Sequence, residues 1–204
     1  AGPTIEPIDP IRFLSNHSSG KQGYEIAKSL SDNGFDTTLI SGPTNITEPE
    51  NVNTIKVSSA DQMYEETIKR LPVDVAIFSA AVSDYKIKNY SKQKIKKSNN
   101  MFINFELNKD ILKYVSENNY LRPKIVVGFA AETENIDFNA KNKLNEKNCD
   151  WIIANDVSQK NVGIGSDFNK VTIFYNNNKV ERFDKMHKAN IASEIVQRLV
   201  SELR

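Results

Sequence analysis

The chain has 204 residues, 39% hydrophobic and 26% charged, the composition of one globular domain of ordinary size that dissolves in water. Lys and Arg number 27 against 26 Asp and Glu, and a net charge of +1 argues against a surface built throughout for nucleic acid, although a local basic patch stays open. No apolar run reaches the roughly 20 residues that span a bilayer, the first residues lack the pattern of a signal peptide, and one cysteine (Cys149) with two histidines (His17 and His187) excludes an internal disulfide and a cysteine- or histidine-rich metal site, all of which fits a reducing cytoplasm.

In chain order, glycine-rich loop material at the start leads into a helix from Gly23 to Leu30, with Tyr24, Ile26, Ala27 and Leu30 apolar and Asn33-Gly34 as its stop. Thr37 to Ile40 is a short strand ahead of Ser41-Gly42-Pro43. Ser59 to Leu71 is a helix with Ser59 or Asp61 as its cap and Pro72 beyond its end. The runs 73–82, 124–131 and 151–154 are short, apolar and rich in β-branched residues, and read as strands buried on both faces of a parallel sheet. Helices over 109–118 and 138–147 lie between them. Residues 170–175 and 179–183 alternate with period two around Asn176-Asn177-Asn178, which predicts a β-hairpin, and His187 to Leu203 is an amphipathic helix. Two stretches, 44–53 and 86–104, read as long polar loops. The alternation predicts an α/β fold, a Rossmann-like doubly wound, mostly parallel sheet with a C-terminal β-hairpin and a terminal helix, in one domain over 1–204. A doubly wound domain ordinarily opens with a strand feeding its first glycine loop. Here that loop starts at residue 1, so the strand is either missing before Ala1 or supplied by another segment.

Five segments could carry chemistry. Asp9 to Gly23 contains Arg12, Asn16, Ser18, Ser19 and Gly20 just before a helix, where main-chain N–H groups and hydroxyls make an anion cradle, or only a tight turn. It lacks the three glycines and the acidic residue of a nicotinamide fingerprint. After the strongest strand, whose end is Ala80-Ala81, Asp84 is followed by six lysines and no acid between Lys86 and Lys97. This is either a solvated loop or, beyond the carboxyl end of a strand, a place for a triphosphate. Gly128-Phe129-Ala130-Ala131-Glu132 ends the next strand, with Glu132 a candidate for Mg²⁺ or for a helix cap. Lys143 and Lys147, four apart, share a helix face. Ala154-Asn155-Asp156 ends the last buried strand. Cys149 reads as a small buried hydrophobe.

Taken together, these segments resemble one family. Its marks are Ala-Gly-Pro-Thr-x-Glu-Pro-x-Asp-Pro-x-Arg at 1–12, Ser-Asn-His-Ser-Ser-Gly-Lys-x-Gly at 15–23, Ala-Ala-Val-x-Asp-Tyr at 80–85, Lys-Ile-Lys-Lys at 94–97, Gly-Phe-Ala-Ala-Glu-Thr at 128–133 and Ala-Asn-Asp-Val-Ser at 154–158. The family is bacterial phosphopantothenate–cysteine ligase, in many bacteria the C-terminal half of a protein fused to phosphopantothenoylcysteine decarboxylase. The resemblance implies that 4′-phosphopantothenate is activated by CTP with Mg²⁺ to an acyl-cytidylate, which cysteine then attacks to give phosphopantothenoylcysteine and CMP. It places Asn16 at the acyl intermediate, Arg12 on the phosphopantothenate side and Lys94 in cytidylate formation. Asp84, Phe129, Lys143 and Lys147 fall on nucleotide contacts. Glu106, Leu107, Asn108 and Lys109 fall on a loop whose backbone reads the base, and Ser18, Ser19, Gly20, Ala80 and Ala81 on the surrounding cradle. The family's usual Asn-Pro-Asp is Asn108-Lys109-Asp110 here, so a looser loop is expected, and Ser83 and Gln22 replace the commoner Ala and Met. Family members are homodimers, and the resemblance offers the 170–183 hairpin as the dimer element. It also implies an apolar strand directly before Ala-Gly-Pro-Thr, so a gap in the sheet and a fragment of a longer parent are expected. The rival readings are a nicotinamide-dependent oxidoreductase and a non-catalytic binder of nucleic acid or another polyanion through the lysine loop. The ligase reading itself involves no nucleic acid and no membrane.

Overall fold

A computed structural model describes residues 1–97, 100–157 and 165–204. Its elements run β1 (Ile5–Pro7), β2 (Phe13–Ser15), α1 (Lys21–Asp32), β3 (Thr38–Ser41), β4 (Asn53–Lys56), α2 (Ala60–Ile68), β5 (Val75–Phe78), β6 (Tyr85–Ile87), β7 (Phe105–Leu107), α3 (Ile111–Ser116), β8 (Ile125–Glu132), α4 (Ile136–Glu146), β9 (Trp151–Asp156), β10 (Phe168–Asn169), β11 (Val171–Tyr175), β12 (Val180–Arg182), β13 (Met186–His187) and α5 (Lys188–Leu203). Five strands form the central sheet in the order β12-β11-β9-β8-β5. The β5–β8 and β8–β9 pairs are parallel, while β9–β11 and β11–β12 are antiparallel. The expected α/β class, sheet, hairpin and terminal helix are therefore all present.

Alternation along the strands assigns the two faces of the sheet. Ile125, Val127, Trp151, Ile153, Val171 and Ile173 pack on one face with Ile26 of α1 and with Ile191, Ile195 and Leu199 of α5. Val126, Ala130, Ile152, Ala154 and Phe174 face the other way, onto Leu112 of α3 and Ala140 and Leu144 of α4. Gly128 sits in close contact here, since a Cβ would meet Ile152 Cδ1 at 2.7 Å and Leu112 Cδ2 at 2.8 Å and those side-chain ends would have to shift.

Local signals set most helix ends. Ser59 and Gln62 close a reciprocal capping box on α2, Asp110 caps α3, and His187 caps α5. Two helices are shorter than their sequence suggests. The backbone after Ile68 tightens into i→i−3 bonds, Arg70 N–H donating to Thr67 and Leu71 N–H to Ile68, before Pro72. The 109–118 helix begins only at Ile111, because Asp110 is its cap.

The first residues enter the sheet rather than forming a free loop. The Ala1 nitrogen donates to Ile40 O at 2.6 Å, and Gly42 N–H donates to Ala1 O at 2.9 Å. On the other side Ala81 N–H donates to Gly2 O at 2.9 Å and Thr4 N–H to Ala81 O at 3.2 Å, with Pro3 bridging Ala81 in the parallel sense. Gly42 must lack a Cβ, which would lie 1.7 Å from Pro3 O. Residues 1–4 thus join the carboxyl ends of β3 and β5. Along the rest of their length β3 and β5 do not pair, and β3–β4 stands as a separate parallel sheet. A cavity of about 1380 Å³ opens between them, with Ile26, Leu39, Met63, Val75 and Ile77 in its wall. This corrects one expectation. The strand in the 73–82 run covers only Val75–Phe78 and is half-buried throughout, because the cavity lies along its free edge.

Two short antiparallel hairpins, β1–β2 and β6–β7, project beside one another. The 86–104 loop is therefore bounded by paired strands, a correction to its reading as wholly irregular. Among the described residues no helix is long and apolar enough to cross a membrane.

Candidate active site

The carboxyl ends of β3, β5 and β8 open on one side of the sheet, where ligands bind in open α/β folds. The chain's turns bring the candidate residues there in two groups. The first follows β5. Asn108 N–H donates to Asp84 O at 2.8 Å, and its side-chain amide donates to Ser83 O at 2.9 Å. Pairing of Tyr85 with Leu107 and of Lys86 with Glu106 lays the 106–109 loop alongside Asp84. Asn108 Oδ1 is buried and has no hydrogen-bond partner among the described residues, the kind of atom a ligand donor satisfies. Across from it, Lys143 donates to Phe129 O at 2.8 Å and Lys147 donates to Asp110 at 2.5 Å. Ala80, Asp84, Leu107, Asn108, Lys109, Phe129, Lys143 and Lys147 all line the polar mouth of the large cavity.

The two lysines differ in their electrostatics. Burial holds the Lys143 ammonium below its usual pKa, against the opposing charge of Glu132, whereas its contact with Asp110 raises that of Lys147. The loop expected to loosen without its proline is held by other means. Lys109 lies over the Tyr64 ring at 4.2 Å, and Asp110 anchors the chain to α3. Tyr64 and Asp110 were not among the sequence candidates, since neither a ring 45 positions away nor a helix cap announces a site. Glu106 instead sits 3.8 Å from Lys86, which donates to Asp61 at 2.8 Å, so that lysine of the run is paired in the protein.

The second group follows β2. Asn16 donates through Nδ2 to Ala81 O at 2.9 Å, which fixes its exposed amide at the seam of β5 and residues 1–4. Gly20 is left-handed at φ 79 and precedes α1, whose first turn has no side-chain cap. Ser18 Oγ and Ser19 Oγ lie 3.3 and 3.5 Å from the Gly20 and Lys21 nitrogens. A Cβ on Gly20 would meet Gly2 Cα at 3.3 Å, so the cradle needs glycine for both space and conformation. Arg12 and Lys94 lie on the hairpin side, outside the wall of the cavity. Arg12 Nη2 donates to Ile95 O at 3.0 Å, which places it beside the Lys94 backbone. Lys94 itself is exposed, as are Lys88, Lys92, Lys96 and Lys97. Glu132, the candidate Mg²⁺ ligand, accepts from Asn139 of α4 at 2.9 Å. Among the described residues no group of three or more His, Cys, Asp or Glu could hold a metal ion. Ser158 of the last motif lies outside the described residues.

The family described as "DNA/pantothenate metabolism flavoprotein C-terminal domain" matches residues 1–203. The chain belongs to that family. The bifunctional coenzyme A biosynthesis protein CoaBC of Haemophilus influenzae is 42% identical over 202 residues, 98% of this chain and 50% of that protein. The Bacillus subtilis protein of the same name is 39% identical over 204 residues, again 50% of its length. The chain thus spans about half the length of the curated relatives it matches. A crystal structure of the C-terminal domain of CoaBC superposes with a TM-score of 0.84 at 38% identity, covering 100% of this chain and 92% of that one. This C-terminal flavoprotein-family domain therefore has its fold from a solved relative as well as from its own strand order.

Proposed function

We propose that this chain is a phosphopantothenate–cysteine ligase that uses CTP and acts in coenzyme A biosynthesis. The observation that carries the reading is the meeting of two unlike half-sites across Ala80-Ala81. One is the mouth of the cavity with a buried Asn108 Oδ1 that has no partner among the described residues and two half-buried lysines, and the other is an amide, Asn16, ahead of a helix start whose N-cap Gly20 offers no side chain. In the reaction a carboxylate oxygen of 4′-phosphopantothenate attacks the α-phosphorus of CTP, and the bond to the β-phosphate oxygen breaks to release pyrophosphate. The cysteine amine then attacks the acyl carbon, the bond to the cytidylate oxygen breaks, and CMP leaves with the amine proton passing to solvent or phosphate. No enzyme nucleophile is needed. Asn16 polarises the acyl carbonyl, Lys94 and Arg12 meet the phosphate charge, and Lys143 and Lys147 hold the nucleotide against Asp84 and the 106–109 loop. The protein's own side chains do not assemble a metal site among the described residues, so Mg²⁺ is assigned to the nucleotide as its counter-ion, and no step is routed through it.

We further propose that the chain works as a homodimer and that a decarboxylase domain accompanies it in the longer protein. The relatives' double length supports the second point. For the dimer, two surfaces offer themselves: exposed apolar residues on the β1–β2 and β6–β7 side (Ile11, Phe13, Phe102 and Phe105), and the free edge of β12 in the 170–183 hairpin, the outermost strand of the central sheet. The test is a product assay by mass spectrometry with 4′-phosphopantothenate, Mg²⁺ and cysteine, CTP and ATP in parallel. Phosphopantothenoylcysteine with CMP, formed only with CTP, is expected. Equal product with ATP removes the base preference, and product with neither nucleotide removes the ligase.

A further inference from the structure

The Asp9 side chain is fully enclosed and accepts five hydrogen bonds. The two carboxylate oxygens do different work. Oδ1 accepts from the Ile11 and Arg12 backbone N–H groups, both at 2.9 Å, which is all that the β1–β2 turn requires. Oδ2 accepts from Arg12 Nε at 3.0 Å, from Arg12 Nη2 at 2.5 Å and from the Ile95 N–H at 3.1 Å, across 86 positions of sequence. Arg12 Nη2 closes the triangle by donating to Ile95 O at 3.0 Å. A second strand of contact, Ser91 N–H to Ile8 O at 3.1 Å, holds the same two segments together. The Arg12 guanidinium keeps the Asp9 carboxyl well below the usual carboxylate range.

We propose that Asp9 is a positioning residue, whose Oδ2 locks the Arg12 guanidinium and the Ile95 backbone into one unit, so that Arg12 and Lys94 reach the substrate phosphates together. This rests on the ligase reading above. A turn alone would use one oxygen, and a surface ion pair would not enclose its carboxylate. Joining both to the segment that carries Lys94 is what a coupled pair of cations needs, since small misplacements of reacting groups cost about 10²-fold in rate.

Asp9→Asn separates the two roles, because it keeps an oxygen for the turn and sets an amide N–H₂ against the N–H groups of Arg12 and Ile95. Wild type and variant would be compared by single-turnover pyrophosphate release from CTP and 4′-phosphopantothenate without cysteine, by CTP affinity, and by hydrogen exchange of residues 94–97. The expected result is an unchanged circular-dichroism spectrum, CTP affinity within about twofold, faster exchange at 94–97, and release slowed about 10²-fold. Arg12→Gln added to Asp9→Asn should cost little more, because the two act as one unit. Release at the wild-type rate overturns the proposal, and so do fully additive losses. Pyrophosphate absent from the wild type overturns the ligase reading, and with it the role given to Asp9, whereas an active wild type with an unaltered Asp9→Asn removes the role of Asp9 alone. If Asp9→Asn fails to fold, Ile95→Pro deletes the same N–H from the other side and leaves Asp9 paired with Arg12. At least a tenfold slower release is then expected, and an unchanged rate overturns the lock.

Discussion

At the scale of single residues, the same burial serves opposite ends at Lys143 and Cys149. Lys143 gives up solvation while keeping one acceptor, Phe129 O, and so is poised for an anion. Cys149 is buried in the α4 side of the core, and burial, reinforced by the Asp150 charge, pushes its thiol up to about 12. Because the thiolate is the reactive form, native protein at pH 8 should be alkylated at Cys149 at least about a hundredfold more slowly than denatured protein. Rapid native labelling would contradict this placement. Asn16 is exposed and structurally cheap, since among the described residues its side chain is held by one hydrogen bond, to Ala81 O. Asn16→Asp should therefore fold normally and bind CTP, while product formation falls about 10²–10³-fold, the usual cost of losing one donor to a developing oxyanion. Wild-type turnover in this variant would remove Asn16 from the acyl step.

Among the elements, the C-terminal hairpin and α5 are tied by one carboxylate. Glu181 on β12 accepts from Tyr175 OH at 3.0 Å and from Arg198 Nε at 2.6 Å, and pairs with Lys179 at 2.7 Å. Burial opposes its ionisation, but these bonds from Lys179, Arg198 and Tyr175 prevail and bring it down from 4.5 to about 2. A carboxyl depressed in the folded state adds stability above its unfolded pKa, and this is lost as pH falls from 4.5 towards 2. Glu181→Gln should cost about 1–3 kcal/mol at pH 7 and much less near pH 2, read from denaturant midpoints at both values. An equal loss at both would mean that the charge is not what ties these elements. The projecting hairpins obey a different logic. Their three-residue strands carry exposed aromatic residues such as Phe13 and Phe105, and they are fixed to the body by polar contacts, Glu6 accepting from Ala60 N–H at 3.0 Å and Lys86 donating to Asp61.

For the whole molecule, the unpaired edges of β3 and β5 and the cavity between them are the main departure from close packing. The Ala1 nitrogen already points its bond at Ile40 O, so any residues joined to it run parallel into that space. A chain extended before Ala1 by about five apolar residues, at about 3.3 Å each, should pair with both edges and raise Tm by at least about 5 °C. An unchanged Tm would show that the space does not accept a strand.

Much of this was legible in the sequence because it depends on neighbours along the chain. Apolar β-branched runs located β8 and β9, period-two patterns β11 and β12, and helical patterns α1 and α5, while Ser59 marked the start of α2 and Asn33-Gly34 the end of α1. The order of the six motifs identified the family. Other features were decided only by tertiary structure, because they join distant segments or depend on what is beside them. The strands β1, β2, β6 and β7 are too short and too exposed to show a period, and exist because each has a partner. The 73–82 run promised a strand buried on both faces, but burial depends on what flanks its edge. Asp9 reads as a turn residue from its neighbours Pro10 and Arg12, and nothing local predicts that its second oxygen reaches Ile95. Sequence specifies which chemistries are present, but a hydrogen bond across 86 positions exists only once the backbone has closed the distance.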